Sequence, residues 1–152
     1  MELVDGTPYL EQAKGLIREY TERLGRDLAF QGLEDELTDL GSKYLPPHGR
    51  LVVAATDDGA VVGCVAYHRL DEMTAEMKRL YVQPAGRGHH LGERLAKRIM
   101  ELAREDGCTR MVLDTVKPLE AAVSLYRKLG FDEIEPYYGN PMDDVIYFGR
   151  NL

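Results

Sequence analysis

One stretch, RLYVQPAGRGHHLGERLAKRIM at 79–100, limits what this chain can build more than any other. Residues up to Val82 mix polar and apolar positions as a strand does, and Pro84 stops that strand because proline cannot donate to a ladder. Gly86, Gly88 and Gly92 mark a loop, while Leu91, Leu95, Ile99 and Leu102 recur along one face of a long helix that Gly107 ends. A helix that begins near His90 presents unpaired N–H groups and a partial positive charge, so the junction is a ready anion site. Glycine lets backbone approach a phosphate closely, and Arg87 adds a charge-assisted contact. Arg94, Lys97 and Arg98 follow within two turns, in reach of a more distant phosphate.

The rest of the chain supplies partners for this junction. Ala13, Leu16, Ile17, Tyr20 and Leu24 have helical spacing, with Gly25 as C-cap. A second helix is expected around Leu33, Leu37 and Leu40, closed by Gly41 before Pro46-Pro47 breaks the chain. LVVAA (51–55) and VVGCVAY (61–67) are apolar runs on either side of Asp58-Gly59, a strong hairpin signal, and AEMKRLYV (75–82) is a third strand. Downstream, MVLDT (111–115) reads as a strand, and Pro118 opens a helix packed through Ala122, Leu125 and Leu129 and capped by Gly130. Phe131 to Ile134 and Val145 to Phe148 close the sequence as strands; at the N-terminus, LVD (3–5) is a strand at most. The order predicts a single α/β (α+β) domain over 1–152, with a mixed central sheet, antiparallel in its N-terminal part and flanked by helices.

Composition narrows the function classes. The 152 residues carry 19 Lys+Arg against 26 Asp+Glu, a net charge of −7, which argues against nucleic acid or an anionic membrane as partner and inclines towards a cationic substrate. Cys64 and Cys108 have neither zinc nor disulfide spacing, the N-terminus has no signal-peptide pattern, and no apolar run approaches a membrane span, so a cytoplasmic protein is expected. No G-x-x-x-x-G-K-[ST] occurs, and Gly86, Gly88 and Gly92 miss the dinucleotide fingerprint by one residue. His89 and His90 point apart as neighbours on a helix would, and His48 and His68 lack ligand spacing, so no metal is expected. Met73, Met77, Met100 and Met111 read as core filling, and Tyr137-Tyr138 as packing in a turn near the substrate mouth.

Two ordered blocks carry a resemblance. V-x-P-x-x-R-G-x-x-L-G-x-x-L, from Val82 to Leu95, resembles the acetyl-CoA pyrophosphate loop of the GNAT superfamily of N-acetyltransferases, and AAVSLYRKLGF (121–131) is similar to its A-x-x-L-Y-x-x-x-G-F signature. The segment EIEPYYGNP (133–141) is similar to one in a group of small bacterial members. The resemblance implies transfer of an acetyl group from acetyl-CoA to a primary amine by direct attack in a ternary complex, with no metal. It departs at His90, where the family loop has glycine, and at Leu119, where many relatives have asparagine. If the backbone is already helical at His90, its φ is negative and a side chain is tolerated there.

The resemblance also implies roles. Arg87, Gly88, His89, His90, Leu91 and Gly92 would hold the pyrophosphate, and backbone N–H groups of Leu80, Tyr81 and Val82, freed by a bulge, would meet the thioester oxygen. Tyr126, the signature tyrosine, would protonate the leaving thiolate, since a phenol with pKa about 10 holds its proton at neutral pH. An amine with pKa near 10.4 is neutral in roughly one molecule per thousand at pH 7, so a base is needed. Glu76 is the expected base, an even number of residues from Leu80 and Val82 and so on their face of the strand; Asp114, Glu34 or a water chain are alternatives. The acceptor is a small amine, an amino acid, a peptide N-terminus or a protein lysine, and homodimers are common in the family. A non-catalytic acyl-CoA-binding sensor or partner domain is the rival reading, and a phosphate- or nucleotide-binding regulator a third.

Overall fold

In the computed structural model, which describes residues 1–26 and 32–152, the two apolar runs pair as the Asp58-Gly59 signal predicts. Gly59 takes φ 87° and Thr56 N–H reaches the Ala60 carbonyl at 2.8 Å, closing a hairpin between β2 (Gly49–Ala55) and β3 (Val61–Arg69). β4 (Thr74–Val82) adds to β3, and β1 (Glu2–Asp5) pairs antiparallel along the far edge of β2, one residue longer than LVD suggested. Beyond β4 lie β5 (Arg110–Val116), β7 (Val145–Asn151) and β6 (Asp132–Ile134), giving one seven-stranded sheet in the order β1-β2-β3-β4-β5-β7-β6. Every neighbouring pair is antiparallel except β4 with β5, whose parallel pairing requires the crossover helix α4 (Leu91–Glu105). This is the mixed sheet, antiparallel in its N-terminal part, that the element order predicts.

Each face of the sheet has its own core. On one side α1 (Leu10–Leu24) buries Ala13, Leu16 and Ile17 against Leu51, Val53, Cys64 and Ala66. Gly25 ends α1 in the left-handed region, its N–H on the Thr21 and Glu22 carbonyls. The single helix expected around Leu33–Leu40 is instead two, α2 (Leu33–Thr38) and α3 (Leu40–Tyr44). Asp39 leaves helical geometry (φ −139°, ψ 74°), and its carboxylate accepts the Ser42 N–H at 3.3 Å. Asp39 therefore caps a new helix rather than extending the old one, and Gly41 falls inside α3. On the opposite face α4 and α5 (Glu120–Lys128) cover Val52, Val65, Met77, Met111 and Phe148. Met77, Met100 and Met111 fill core as expected, but Met73 is 48% exposed at the tip between β3 and β4. Among the described residues no helix is long and apolar enough to cross a membrane.

The signature block 121–131 has a purely structural component. Phe131 N–H bonds the Tyr126 carbonyl at 3.0 Å and Gly130 N–H bonds the Arg127 carbonyl at 3.1 Å, with Gly130 at φ 88°. These are the paired bonds of a Schellman terminus, and its apolar clasp is the Tyr126–Phe131 ring contact at 6.0 Å. The glycine-phenylalanine pair thus seats the tyrosine.

Close strand approach fixes one more glycine. A Cβ on Gly49 would lie 2.0 Å from the Tyr67 carbonyl oxygen, so Gly49→Ala must force β2 away from β3. The expected cost is about 3 kcal/mol, seen as a lower urea midpoint at unchanged slope. Gly15→Ala, in the exposed middle of α1 with nothing within 4 Å of the added Cβ among the described residues, is expected to raise the midpoint, by about 1 kcal/mol in stability.

Candidate active site

The site begins with a slip in β4. Cys64 pairs with Tyr81 and Ala66 with Lys78, so Val65 stands opposite both Arg79 and Leu80. Arg79 takes up the extra residue at φ 63°. Before the bulge, Ala75 and Met77 face the α4 core, which puts Glu76 on the α1 side, where it meets His68. After it, Leu80 and Val82 face the α4 core and Tyr81 the α1 core. Glu76 therefore does not share a face with Leu80 and Val82. Even spacing keeps parity only in an unbroken strand, and the bulge inverts it.

A second irregularity opens the sheet. β4 and β5 pair only between Thr74–Glu76 and Arg110–Val112 and then part. A cleft of ≈ 750 Å³ lies between them, walled by Leu80, Tyr81 and Val82 on one side and Asp114, Thr115 and Val116 on the other. α5 contributes Leu125 and Tyr126, and Leu119 stands at its N-terminus. Tyr20 and Arg23 of α1, with Asn140 and Met142 before β7, close the remaining side.

The α4 N-terminus meets this cleft at Gly92, where a Cβ would touch only Leu125 at 3.8 Å, leaving room on the cleft side. Among the described residues no side chain caps the helix, so its first N–H groups are left for a ligand. Arg87 is exposed and lines the cleft, with Nε 3.4 Å from the Val82 carbonyl. Gly88 (φ 91°) and His90 (φ 55°) shape the turn, Leu91 is sunk in the core, and His89 points outward, exposed. His90 thus corrects the expectation of a negative φ: it adopts the left-handed bend itself and precedes the helix, at a modest steric cost. Gly86 serves packing, since a Cβ there would lie 3.0 Å from Val62 and 3.2 Å from Val82. The basic face of α4 is already engaged, Arg94 with the Met1 carbonyl at 3.1 Å, Lys97 with Glu93 at 3.2 Å and Arg98 with Glu101 at 3.0 Å.

Buried charges gather on the α1 side of the bulge. Glu76 accepts hydrogen bonds from His68 Nε2 and the Tyr137 hydroxyl, each at 2.6 Å. Burial alone would raise its carboxyl, but His68, Lys78 and Tyr137 outweigh that and hold it at about 2. Asp114 behaves oppositely: burial raises it, only partly offset by the Tyr138 hydroxyl and Lys78. Burial, with Tyr20 and Asp114 nearby, pushes the Tyr126 phenol up, and its hydroxyl has no hydrogen-bond partner among the described residues. Deeper still, Arg79 forks onto Glu36 at 2.8 and 3.0 Å, and Lys43 joins at 2.9 Å; these contacts overcome burial and hold Glu36 at about 2.

The structure thus brings Tyr126, Leu80, Tyr81, Val82, Arg87 and Gly92 to one cleft together with Asp114, while Glu76 stands behind the wall and Glu34 is exposed on α2. Tyr137 and Tyr138 do more than pack, since each donates to one of the buried carboxylates. The Glu36–Arg79 pair had one trace in the sequence: Lys78-Arg79 puts two cations side by side, which no alternating strand accommodates on one polar face.

Comparison with known proteins agrees with this geometry. Residues 14–131 match the acetyltransferase (GNAT) family. An uncharacterized N-acetyltransferase of Schizosaccharomyces pombe is 45% identical over 139 residues, covering 91% of this chain and 85% of its own length. An IAA acetyltransferase of Azospirillum brasilense is 36% identical over 132 residues, with 86% and 84% covered. Among solved structures, an acetyltransferase of Streptococcus agalactiae superposes with a TM-score of 0.80 at 29% identity, covering 99% of this chain and 98% of that one. A split parallel pair, a bulged strand and an open helix N-terminus meet at one cleft in a chain with these relatives: it belongs to the acetyltransferase (GNAT) family and is an N-acetyltransferase.

Proposed function

We propose that the chain moves an acetyl group from acetyl-CoA to a primary amine by direct attack in a ternary complex formed in the β4–β5 cleft. The observation that carries this reading is the convergence of the bulge at Arg79, the open α4 N-terminus and Tyr126 on that cleft. Bound acetyl-CoA supplies the acetyl group as a thioester. Arg87 and the N–H groups of the first turn of α4 take its diphosphate, with Gly92 giving clearance. Backbone N–H groups over Leu80–Val82 face the thioester oxygen and stabilise the charge it gains as the amine attacks. Tyr126, kept protonated by burial, gives its proton to the departing sulfur.

The base in this reading is Asp114 rather than Glu76. Asp114 lines the cleft and burial raises its carboxyl towards the neutral range, which improves a general base. Glu76, held at about 2 and committed to His68 and Tyr137, is a poor proton acceptor. Its charge instead helps to raise Asp114, and its hold on Tyr137 orders the ring packed 5.3 Å from Tyr138, which bonds Asp114.

Calorimetry with acetyl-CoA and a CoA-release assay over a panel of amines test the whole reading. Saturable binding with CoA release for at least one amine is expected; binding without release across the panel would identify an acyl-CoA sensor instead. Tyr126→Phe is expected to lower kcat by roughly 10²-fold with little change in KM for acetyl-CoA, and an unchanged kcat discards its acid role. Asp114→Asn should remove most of kcat at every pH. For Glu76→Gln the sign follows from charge: a lost negative neighbour favours ionised Asp114, so the acid limb of the kcat profile moves to lower pH. An acid limb that stays in place, or moves up, contradicts the assignment.

A further inference from the structure

Among the described non-glycine residues only Arg79 and His90 have positive φ, and Arg79 does so in the middle of a strand. An L-residue in that region is held there by its surroundings. Among the described residues, two contacts hold Arg79 and a third braces its partner. Its guanidinium, 4% exposed, forks onto the carboxylate of Glu36, which is 2% exposed. The Cys64 thiol donates to the Arg79 carbonyl at 3.2 Å. Lys43 on α3 bonds Oε1 of the same carboxylate at 2.9 Å. A buried ion pair adds little stability over an apolar pair of equal volume, but a two-pronged fork fixes direction as no apolar contact does. The direction fixed here is that of the residue that inverts β4.

We propose that Glu36 is a positioning residue for acetyl transfer: clamped on the Arg79 guanidinium, it holds β4 in its bulged form and so ties α2 and α3 to the backbone donors at Leu80–Val82. The inference rests on the proposed reaction and adds to it a residue that touches neither substrate. It also makes the α2–α3 side and the cofactor strand one mechanical unit, because moving α2 moves Arg79.

Two double variants separate positioning from plain support. Glu36→Gln with Arg79→Ala removes the clamp and leaves a residue that resists positive φ, whereas Glu36→Gln with Arg79→Gly removes the same clamp but adopts positive φ freely. Both delete the same buried pair, and thermal melting confirms folding. The glycine pair is expected to keep kcat within about fivefold of wild type and the alanine pair to fall at least about tenfold below it, with KM for acetyl-CoA changed less than kcat. Equal kcat in the two pairs, or a lower value in the glycine pair, overturns the proposal. Should neither pair fold, Glu36→Asp draws the carboxylate back by one methylene while keeping its charge. An expected loss of about fivefold or more in kcat, with the acid limb unmoved, supports the clamp, and an unchanged kcat overturns it. Wild type that releases no CoA with any amine sinks the reaction and the clamp together; an active wild type with indistinguishable variants sinks the clamp alone.

Discussion

The parallel ladder between β4 and β5 joins Thr74–Glu76 to Arg110–Val112 and stops, and the rest of the molecule is arranged around that stop. Two strands that diverge leave backbone donors and acceptors along both inner edges, and buried groups of that kind need partners. The crossover through α4 brings a helix N-terminus to the open end, so one strand–loop–helix unit provides edge, turn and dipole together.

Charge is distributed around this opening with economy. The chain is acidic overall, yet the carboxylates near the cleft are graded by what surrounds them. Glu36 and Glu76 are held low by the cations and hydroxyls around them, while Asp114, more weakly compensated, is raised by burial. Three similarly buried carboxylates thus differ in character through the number and charge of their partners. The tyrosines connect two of them, with the Tyr137 hydroxyl on Glu76 and the Tyr138 hydroxyl on Asp114.

Much of this was legible in the residues. The apolar runs at 51–55 and 61–67, the Asp58-Gly59 turn and the α4 stripe each repeat one simple period, so their elements followed directly. The motif blocks point to Arg87, Gly92 and Tyr126, which line the cleft because short-range geometry, a helix start and a helix end, fixes those positions. The face of Glu76 differs from expectation for a definite reason. Parity counting assumes an unbroken pleat, and the residue that breaks it, Arg79, is held by Glu36 from 43 positions away, beyond any local pattern. The split of α2 from α3 was likewise hidden, since Asp39 chooses between continuing one helix and capping the next only once Ser42 is in place. Asp114 was visible as a carboxylate, but burial and Tyr138 set its character.

His90 carries a broader consequence. The bend into α4 is set by a dihedral angle of 55°, and an imidazole-bearing residue sustains it where glycine would be at ease. What the corner requires is its curvature, and a residue other than glycine meets it here. A side chain is thus accommodated at this corner, and a pattern that demands glycine there would pass over a chain whose turn still enters the helix.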